Sequence, residues 1–398
     1  MKLLVFSSGF PPLDGGIEIF VYNVCRQLAG RGHRVSVLTG SYEGDREFDM
    51  GQKIIIHRQG HAPAFSSLFT LFRTLYLSLT ERPDMLFLGH FGSTHLFGAV
   101  LAKKLLGIPY VILVHGSDVN AYLHGFTWLD GLISSVVLKN ANAVIANSKA
   151  TKKLVEGNDY PLDRIYIVNP GTDIKELSPC ENVEAVKERF NLTKKRILLS
   201  VSRLVKRKGH ANVIKALPKV IDKVPDLLYV ISGAGEEEAC LKALVREMNL
   251  DDYVKFAGRV NEKEKLSYYQ GCDAFIMPSF ERKNGSMTDY EGFGIVYIEA
   301  NACGKPVIAG RSGGVKDAVI DGVTGILVSP ENLDEISDAV IRLLSDHEYA
   351  RKLGENGRKR VERELNWNVA GEKVEDILKR TIAGHLIKIA AKKISPIA

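Results

Sequence analysis

Cysteine is scarce in this chain: five in 398 residues, at positions 25, 180, 240, 272 and 303. The number is odd, the spacing is wide, and no Cys-x-x-Cys pair occurs. That excludes a disulfide framework and a cysteine-held zinc site, and it points to a reducing compartment in which each thiol serves as a small apolar side chain. Long apolar runs are missing too. No window reaches the length a bilayer-spanning helix needs, and the opening Met-Lys-Leu-Leu-Val-Phe-Ser-Ser-Gly is too short for a secretory core and lacks a cleavage site. The expectation is a cytoplasmic protein. The dinucleotide spacing Gly-x-Gly-x-x-Gly and the phosphate loop Gly-x-x-x-x-Gly-Lys-Ser/Thr are both absent. No Asp-x-Asp stands at a strand end, so neither a metal nor another cofactor is implied. No Ser/His/Asp or Cys/His spacing supports a covalent nucleophile. The basic residues are not interleaved with aromatics, which argues against nucleic acid.

What is present is the composition of an ordinary globular protein, 45% hydrophobic and 25% charged, with enough chain for two domains. The net charge of +6 is unevenly placed. After Asp376 there are no acids, while Lys379, Arg380, Lys388, Lys392 and Lys393 follow. Short apolar runs of the kind buried on both faces of a parallel sheet recur along the chain. In the first half they are Lys2 to Phe6, Arg34 to Leu38, Met85 to Leu88, Tyr110 to Val114, Ala143 to Ala146 and Ile165 to Val168. Asn169-Pro-Gly-Thr-Asp173 is turn-rich and reads as a domain boundary. The second half repeats the pattern at Arg196 to Ser202, Leu227 to Ile231, Val254 to Ala257, Ala274 to Met277, Pro306 to Ala309 and Gly325 to Val328. Amphipathic helices are predicted at Ile17 to Ala29, Ala211 to Val220, Leu333 to Leu344 and His347 to Glu364. The organisation expected is α/β: a domain over 1–170, a second over 171–365, and a terminal segment over 366–398.

Candidate chemistry sits where these strands end, the edge at which open α/β sheets hold ligands. Gly15-Gly16 opens a helix and reads first as a tight turn, with backbone N–H groups able to receive a phosphate. His115-Gly116 ends a strand. Arg203, Lys206, Arg207 and Lys208 form a compact cationic loop at another strand end, suited to a diphosphate. Glu291-Gly-Phe-Gly-Ile-Val-Tyr-Ile-Glu299 leads a polar loop into a helix, placing Glu291 at the mouth and Glu299 about two turns further in. Ala64 to Leu79 carries nine large apolar residues with little polar face. It is either buried on most sides or offers an apolar surface to a membrane or a lipid, and burial is the preferred reading.

The pattern Glu, seven residues, Glu around Gly-Phe-Gly resembles the donor site of family 4 of the retaining nucleotide-sugar glycosyltransferases. Phe10-Pro-Pro, Gly15-Gly16, His115-Gly116, Arg203 with Lys208, and Gly313-Gly314 extend the resemblance over nearly the whole chain. The long loop before Glu291, with Arg203-Leu-Val-Lys-Arg-Lys-Gly209 and Gly294-Ile-Val-Tyr-Ile-Glu-Ala300, most resembles the phosphatidylinositol-mannoside mannosyltransferases. The resemblance implies the GT-B fold, two Rossmann-like domains facing across a cleft, with a last helix from about Trp367 crossing back to the N-terminal domain. It implies that Arg203 and Lys208 hold the donor diphosphate in place of a metal, and that Gly16 offers its N–H to the same phosphates. Glu291, with the N–H groups of Phe293, Gly294 and Ile295, would bind the donor sugar. Glu299 would hold the ribose, Val260 would meet the base, and His115 would contact the sugar. Glu281 imitates the family's first Glu, but Gly-Phe-Gly follows Glu291, so the role is assigned to Glu291. Asp317 stands where the family usually has Glu.

The function implied is retaining transfer of a hexose, mannose from GDP-mannose, from a nucleotide sugar to a lipid-linked or polyol acceptor. The apolar segment and the basic tail fit peripheral work on the inner face of an anionic membrane, and equally fit a core helix and a disordered end. Three alternatives stand beside it: a UDP-sugar transferase with a soluble or polysaccharide-precursor acceptor, a sugar-nucleotide epimerase, and a sugar-nucleotide-binding protein without catalysis.

Overall fold

A computed structural model describes the chain except for residues 61–65, 93, 125–126, 159, 174–187, 189–194, 285–286 and 395–398. The backbone divides into two compact units, one of Met1–Pro170, Lys283–Thr288 and Trp367–Ala398, the other of Gly171–Arg282 and Asp289–Asn366.

The first unit holds β1 (Lys2–Phe6), β2 (Arg34–Gly40), β3 (Ile55–Gln59), β4 (Met85–Leu88), β5 (Tyr110–Val114), β6 (Ala143–Ala146) and β7 (Ile165–Ile167). They pair in parallel in the order β3-β2-β1-β4-β5-β6-β7. Central strands β4, β5 and β6 are fully buried, as their apolar runs predict. β3 is not among the strands predicted from sequence. Only Ile55 and Ile56 of its five residues are apolar, because this edge strand is half exposed.

The second unit holds β8 (Arg196–Val201), β9 (Leu227–Ser232), β10 (Val254–Gly258), β11 (Ala274–Met277), β14 (Val307–Gly310) and β15 (Gly325–Val328). These form a second parallel sheet, ordered β10-β9-β8-β11-β14-β15. Between β11 and β14 the loop expected to be irregular carries a small ribbon, β12 (Arg282–Asn284) with β13 (Met287–Asp289). In both sheets the order reverses beside the first strand, which opens a crevice at the carboxyl ends of β1 and β8. The helix Trp367–Ile394 returns to the first unit, as the family resemblance implies. Trp367 packs on Phe20 with ring centroids 5.8 Å apart, Arg31 pairs with Glu372 at 3.2 Å, and His33 meets Glu375 at 2.9 Å.

One expectation is overturned. The helix Ser66–Glu81, which takes up most of the apolar segment (Ala64 and Phe65 lie outside the described residues), is not buried on most sides. Leu68, Phe69, Phe72, Tyr76 and Leu79 face water at 53–65% exposure, while Thr70, Thr74 and Ser78 are buried. The inversion has a steric cause. A side chain at Gly98, on the neighbouring helix, would come within 3.0 Å of the Leu71 carbonyl and 3.2 Å of Thr74 Cβ. At Gly98 the two helices approach so closely that small residues are needed between them; Leu71 and Leu77 remain buried, while the five large residues named above are turned outward. No helix among the described residues is long and apolar enough to cross a membrane.

Candidate functional site

The second unit gathers its ionisable groups at the carboxyl end of β8. The chain leaves the strand at Ser202 and makes a single tight turn over Lys206–Lys208. It then enters the helix His210–Ile221 through Gly209, whose φ is +78°. A side chain at Gly209 would meet the Pro278 carbonyl at 2.4 Å, so glycine is required on both counts. That turn drives Lys208 inward until it is 8% exposed. Its ammonium is bonded to the Glu291 carboxylate. Arg207 donates to the same Glu291 oxygen at 2.9 Å and pairs with Asp289 at 3.1 Å.

The electrostatics follow from this packing. Burial alone would raise the Glu291 carboxyl, but Lys208 and Arg207 outweigh it and hold it at about 2. Burial lowers the Lys208 ammonium, Glu291 opposes that, and Arg207 and Arg203 push it down again. Arg203 is exposed, within electrostatic reach of Lys208. The site thus holds three cations against two carboxylates, with Arg203 the cation that no described carboxylate pairs.

Glu291 leads through Phe293 and Gly294 into the helix Ile295–Ala302. Gly294 has φ +89°, and a side chain there would strike the Tyr297 ring at 2.4 Å. The Tyr297 hydroxyl donates to the Met277 carbonyl at 2.7 Å, tying the helix start to the end of β11. No side chain caps this helix, so its first N–H groups are turned to whatever stands before it. Glu299, 9% exposed, takes a hydrogen bond from the Tyr269 hydroxyl at 2.8 Å and pairs with Lys265 at 3.2 Å. Lys265 and Tyr269 lie on the helix Glu262–Gly271, which begins two residues after Val260. Among the described residues Glu281 pairs with neither Lys208 nor Arg207. It is exposed and accepts from the Gly313 N–H at 3.1 Å, while Gly314 donates to the Glu291 carbonyl at 2.9 Å.

In the first unit, Gly16 is the first residue of the helix Gly16–Gly30, which also lacks a side-chain cap. A side chain built at Gly16 meets nothing within 4 Å, whereas at Gly15 it would strike the Glu18 carboxylate at 2.2 Å. His115 follows β5 and is 5% exposed. Its Nε2 lies 2.9 Å from the Gly89 carbonyl. A carbonyl only accepts, so Nε2 carries the proton and, in the neutral ring, Nδ1 is the basic nitrogen. Asp118 fixes the loop by accepting from the N–H groups of His115, Gly116 and Phe91 at 2.8–2.9 Å.

The sequence-predicted residues Arg203, Lys208 and Glu291 therefore converge, and Phe293, Gly294 and Ile295 line the same turn. Glu299 and Val260 form a neighbouring group. Arg207, Lys265, Tyr269 and Asp118 were not singled out. Arg207 was visible only as one of four basic residues, and Lys265 and Tyr269 carry no motif that marks them.

Residues 182–360 match the family Glycosyl transferases group 1, and residues 14–176 match Glycosyltransferase Family 4. A GDP-mannose-dependent monoacylated alpha-(1-6)-phosphatidylinositol monomannoside mannosyltransferase of Corynebacterium glutamicum is 38% identical over 95% of this chain and 97% of its own. A GDP-mannose-dependent alpha-(1-6)-phosphatidylinositol monomannoside mannosyltransferase of Mycobacterium tuberculosis is 30% identical over 95% and 98%. Among solved structures, HepE of Anabaena, in complex with UDP and glucose, superposes with a TM-score of 0.79 at 19% identity, covering 96% of this chain and 100% of its own. Sucrose-phosphate synthase of Thermosynechococcus elongatus does so at 0.78 and 23%, covering 96% and 99%. With a relative 38% identical along almost its full length and GT-B neighbours for its fold, the chain belongs to glycosyltransferase family 4 and is a glycosyltransferase of the GT-B type.

Proposed function

We propose that the protein transfers mannose from GDP-mannose to a lipid-linked or polyol acceptor, with retention of anomeric configuration and without a bound metal. The observation that carries this reading is the buried cluster of Lys208 and Arg207 on Glu291, with Arg203 beside it. Preplaced cations of this kind stabilise a departing diphosphate with no reorganisation at the moment of reaction. Arg203 and Lys208 hold the diphosphate. Glu291, kept ionised by its cations, accepts hydrogen bonds from hydroxyls of the donor sugar. The N–H groups of Phe293, Gly294 and Ile295 complete that contact. Glu299 takes the ribose hydroxyls, and the backbone of Val260 meets the base. On the first unit, Gly16 serves the phosphates and His115 the sugar.

In the transfer itself the bond from the sugar's anomeric carbon to the diphosphate breaks. A bond from the acceptor oxygen to that carbon forms on the same face. The acceptor's hydroxyl proton passes to the leaving phosphate oxygen, so no enzyme nucleophile is required. The names of the full-length relatives supply the choice of mannose, GDP and a phosphatidylinositol-type acceptor.

The helix Ser66–Glu81 supports work at an anionic membrane surface. Keeping five large apolar side chains mostly in water forgoes several kcal/mol of burial, at roughly 1.5–3 kcal/mol for each one fully buried. A bilayer interface recovers that energy.

The test is incubation with GDP-mannose labelled in the sugar, together with vesicles containing phosphatidylinositol. Label in the organic phase, and an α-linked product by NMR, supports the reading. Transfer from a UDP-sugar alone moves the enzyme to another donor, and release of free sugar or an epimer without acceptor-dependent product overturns it.

A further inference from the structure

At the amino-terminal edge of the first sheet, opposite the edge that carries His115 and Gly16, a groove of about 480 Å³ runs between the carboxyl ends of two helices and the flank of Trp367–Ile394. Its walls are Leu79, Leu106, Ile108, Ile382, Leu386 and Ile389. The volume falls in the roughly 300–1,000 Å³ range of ligand pockets. Apart from Arg82, the polar side chains in its lining are already engaged. Ser78 donates to the Thr74 carbonyl at 2.7 Å, and Asp84 accepts from the Lys2 N–H at 2.7 Å. His385 donates from Nε2 to the Gly107 carbonyl at 2.8 Å. The groove therefore has little to offer a sugar or a peptide backbone, each of which would lose its hydrogen bonds to water on entering. It suits a hydrocarbon chain.

Two further features fix what kind of chain. Leu79 and Leu386, both more than half exposed, continue the groove into the outward apolar row of Ser66–Glu81. Cations border it. Arg82 lines the groove and pairs with no described carboxylate. Lys388 lies one helical turn beyond His385. Burial, Arg164 and Lys388 together push the Lys103 ammonium below its usual range, which places those three cations near one another. Of the two acids beside the groove, Glu81 is turned away to Ser36 at 2.6 Å and His57 at 2.7 Å, and Asp84 is engaged by the Lys2 N–H.

We propose that this groove takes one acyl chain of an anionic phospholipid from the bilayer surface, with the lipid phosphate at Arg82 and Lys388. The proposal rests on the membrane reading above and adds to it a site distinct from that of the acceptor. The five-residue strand β5 separates the groove from His115, about 17 Å at strand rise. The bound lipid is an anchor, not the group that receives the sugar.

The test places a reporter in the groove. Leu386→Trp is made in a Trp128→Phe background, leaving Trp367, which is buried, as the other tryptophan. Phosphatidylglycerol vesicles brominated in the middle of the acyl chains quench tryptophans that touch the chains. The groove reporter loses emission with these vesicles and not with unbrominated ones, and Arg82→Glu with Lys388→Glu restores it. A Val323→Trp reporter on the second unit stays unquenched. Sedimentation of the protein with vesicles but no quenching at Leu386 overturns the groove while leaving membrane attachment standing. Failure to sediment overturns both, and GDP binding then shows whether the transferase reading survives. A lipid-free dimer dissociated by Leu386→Asp assigns the groove to a second copy of the chain and overturns the proposal.

Discussion

Lys208 and Glu291, 83 positions apart in the chain, meet as a largely buried ion pair at the carboxyl end of the second sheet. Lys208 is driven inward by the turn at Gly209, and Glu291 is held by the Gly314 N–H on its own carbonyl. Lys208→Ala is predicted to leave the buried Glu291 with Arg207 as its one remaining cation. Breaking such a pair costs about 3–5 kcal/mol when it is fully buried, less here because Arg207 remains on Glu291. Affinity for GDP falls along with turnover, by about 10²–10³-fold in the latter. Unchanged GDP affinity by calorimetry in a folded Lys208→Ala protein would remove the phosphate assignment.

Glu291→Gln and Glu281→Gln separate the two glutamates that the sequence offers. Glu291 is held ionised by Lys208 and Arg207, whereas Glu281 is exposed and supports the Gly313 N–H. Turnover is predicted to drop by about 10²-fold for Glu291→Gln and to change little for Glu281→Gln. Steady-state kinetics that rank them the other way would move the sugar contact to Glu281.

Gly16→Ala isolates ligand approach from folding. A side chain there meets no protein atom within 4 Å and sits at a helix start, so thermal stability is expected to hold. The added methyl stands where a phosphate would approach the backbone N–H, so KM for the nucleotide sugar rises. Full activity in Gly16→Ala would take Gly16 out of the site.

Acid stability is set by histidines as well as by Glu291. Burial lowers His95 to about 4, with Asp130 opposing, and burial together with Lys208 lowers His210 to about 3. The unfolded chain binds these protons near 6.5 and the folded protein does not, so stability falls as pH drops from 6.5 toward 4. Glu291 adds a second loss lower down. Its folded carboxyl lies at about 2 against 4.5 unfolded, so its contribution is full above 4.5 and disappears as pH falls through 2. The urea midpoint should therefore begin to decline below pH 6.5. A midpoint flat from pH 7 to 4.5 would contradict this.

The parallel strands were legible because each is a short apolar run cut off by glycine, proline or a polar residue. Met85–Leu88, Tyr110–Val114, Ala143–Ala146, Ala274–Met277 and Gly325–Val328 stand where the pattern places them. β3 was not, because an edge strand with one face in water carries His57, Arg58 and Gln59 like a loop. The orientation of Ser66–Glu81 was hidden for a different reason. Hydrophobicity says which residues prefer burial, but the close approach at Gly98 decides which ones fit. In the site, motif residues were legible and their supports were not. Arg207 was one charge in a run, and Tyr269 reaches Glu299 only through a packing between helices that no local pattern encodes.

The central claim is that the second unit binds a guanosine diphosphate sugar through Lys208, Arg203 and Glu291. The most direct measurement is a thermal-shift titration with GDP, GDP-mannose, UDP and UDP-glucose, wild type beside Lys208→Ala. A ligand that binds the native state alone must raise the melting temperature. The account predicts that GDP and GDP-mannose raise it for the wild type by several degrees more than the uridine compounds do, at ligand concentrations about a hundred times Kd, and that Lys208→Ala loses the shift. No shift with any nucleotide, or equal shifts in Lys208→Ala and wild type, would contradict it.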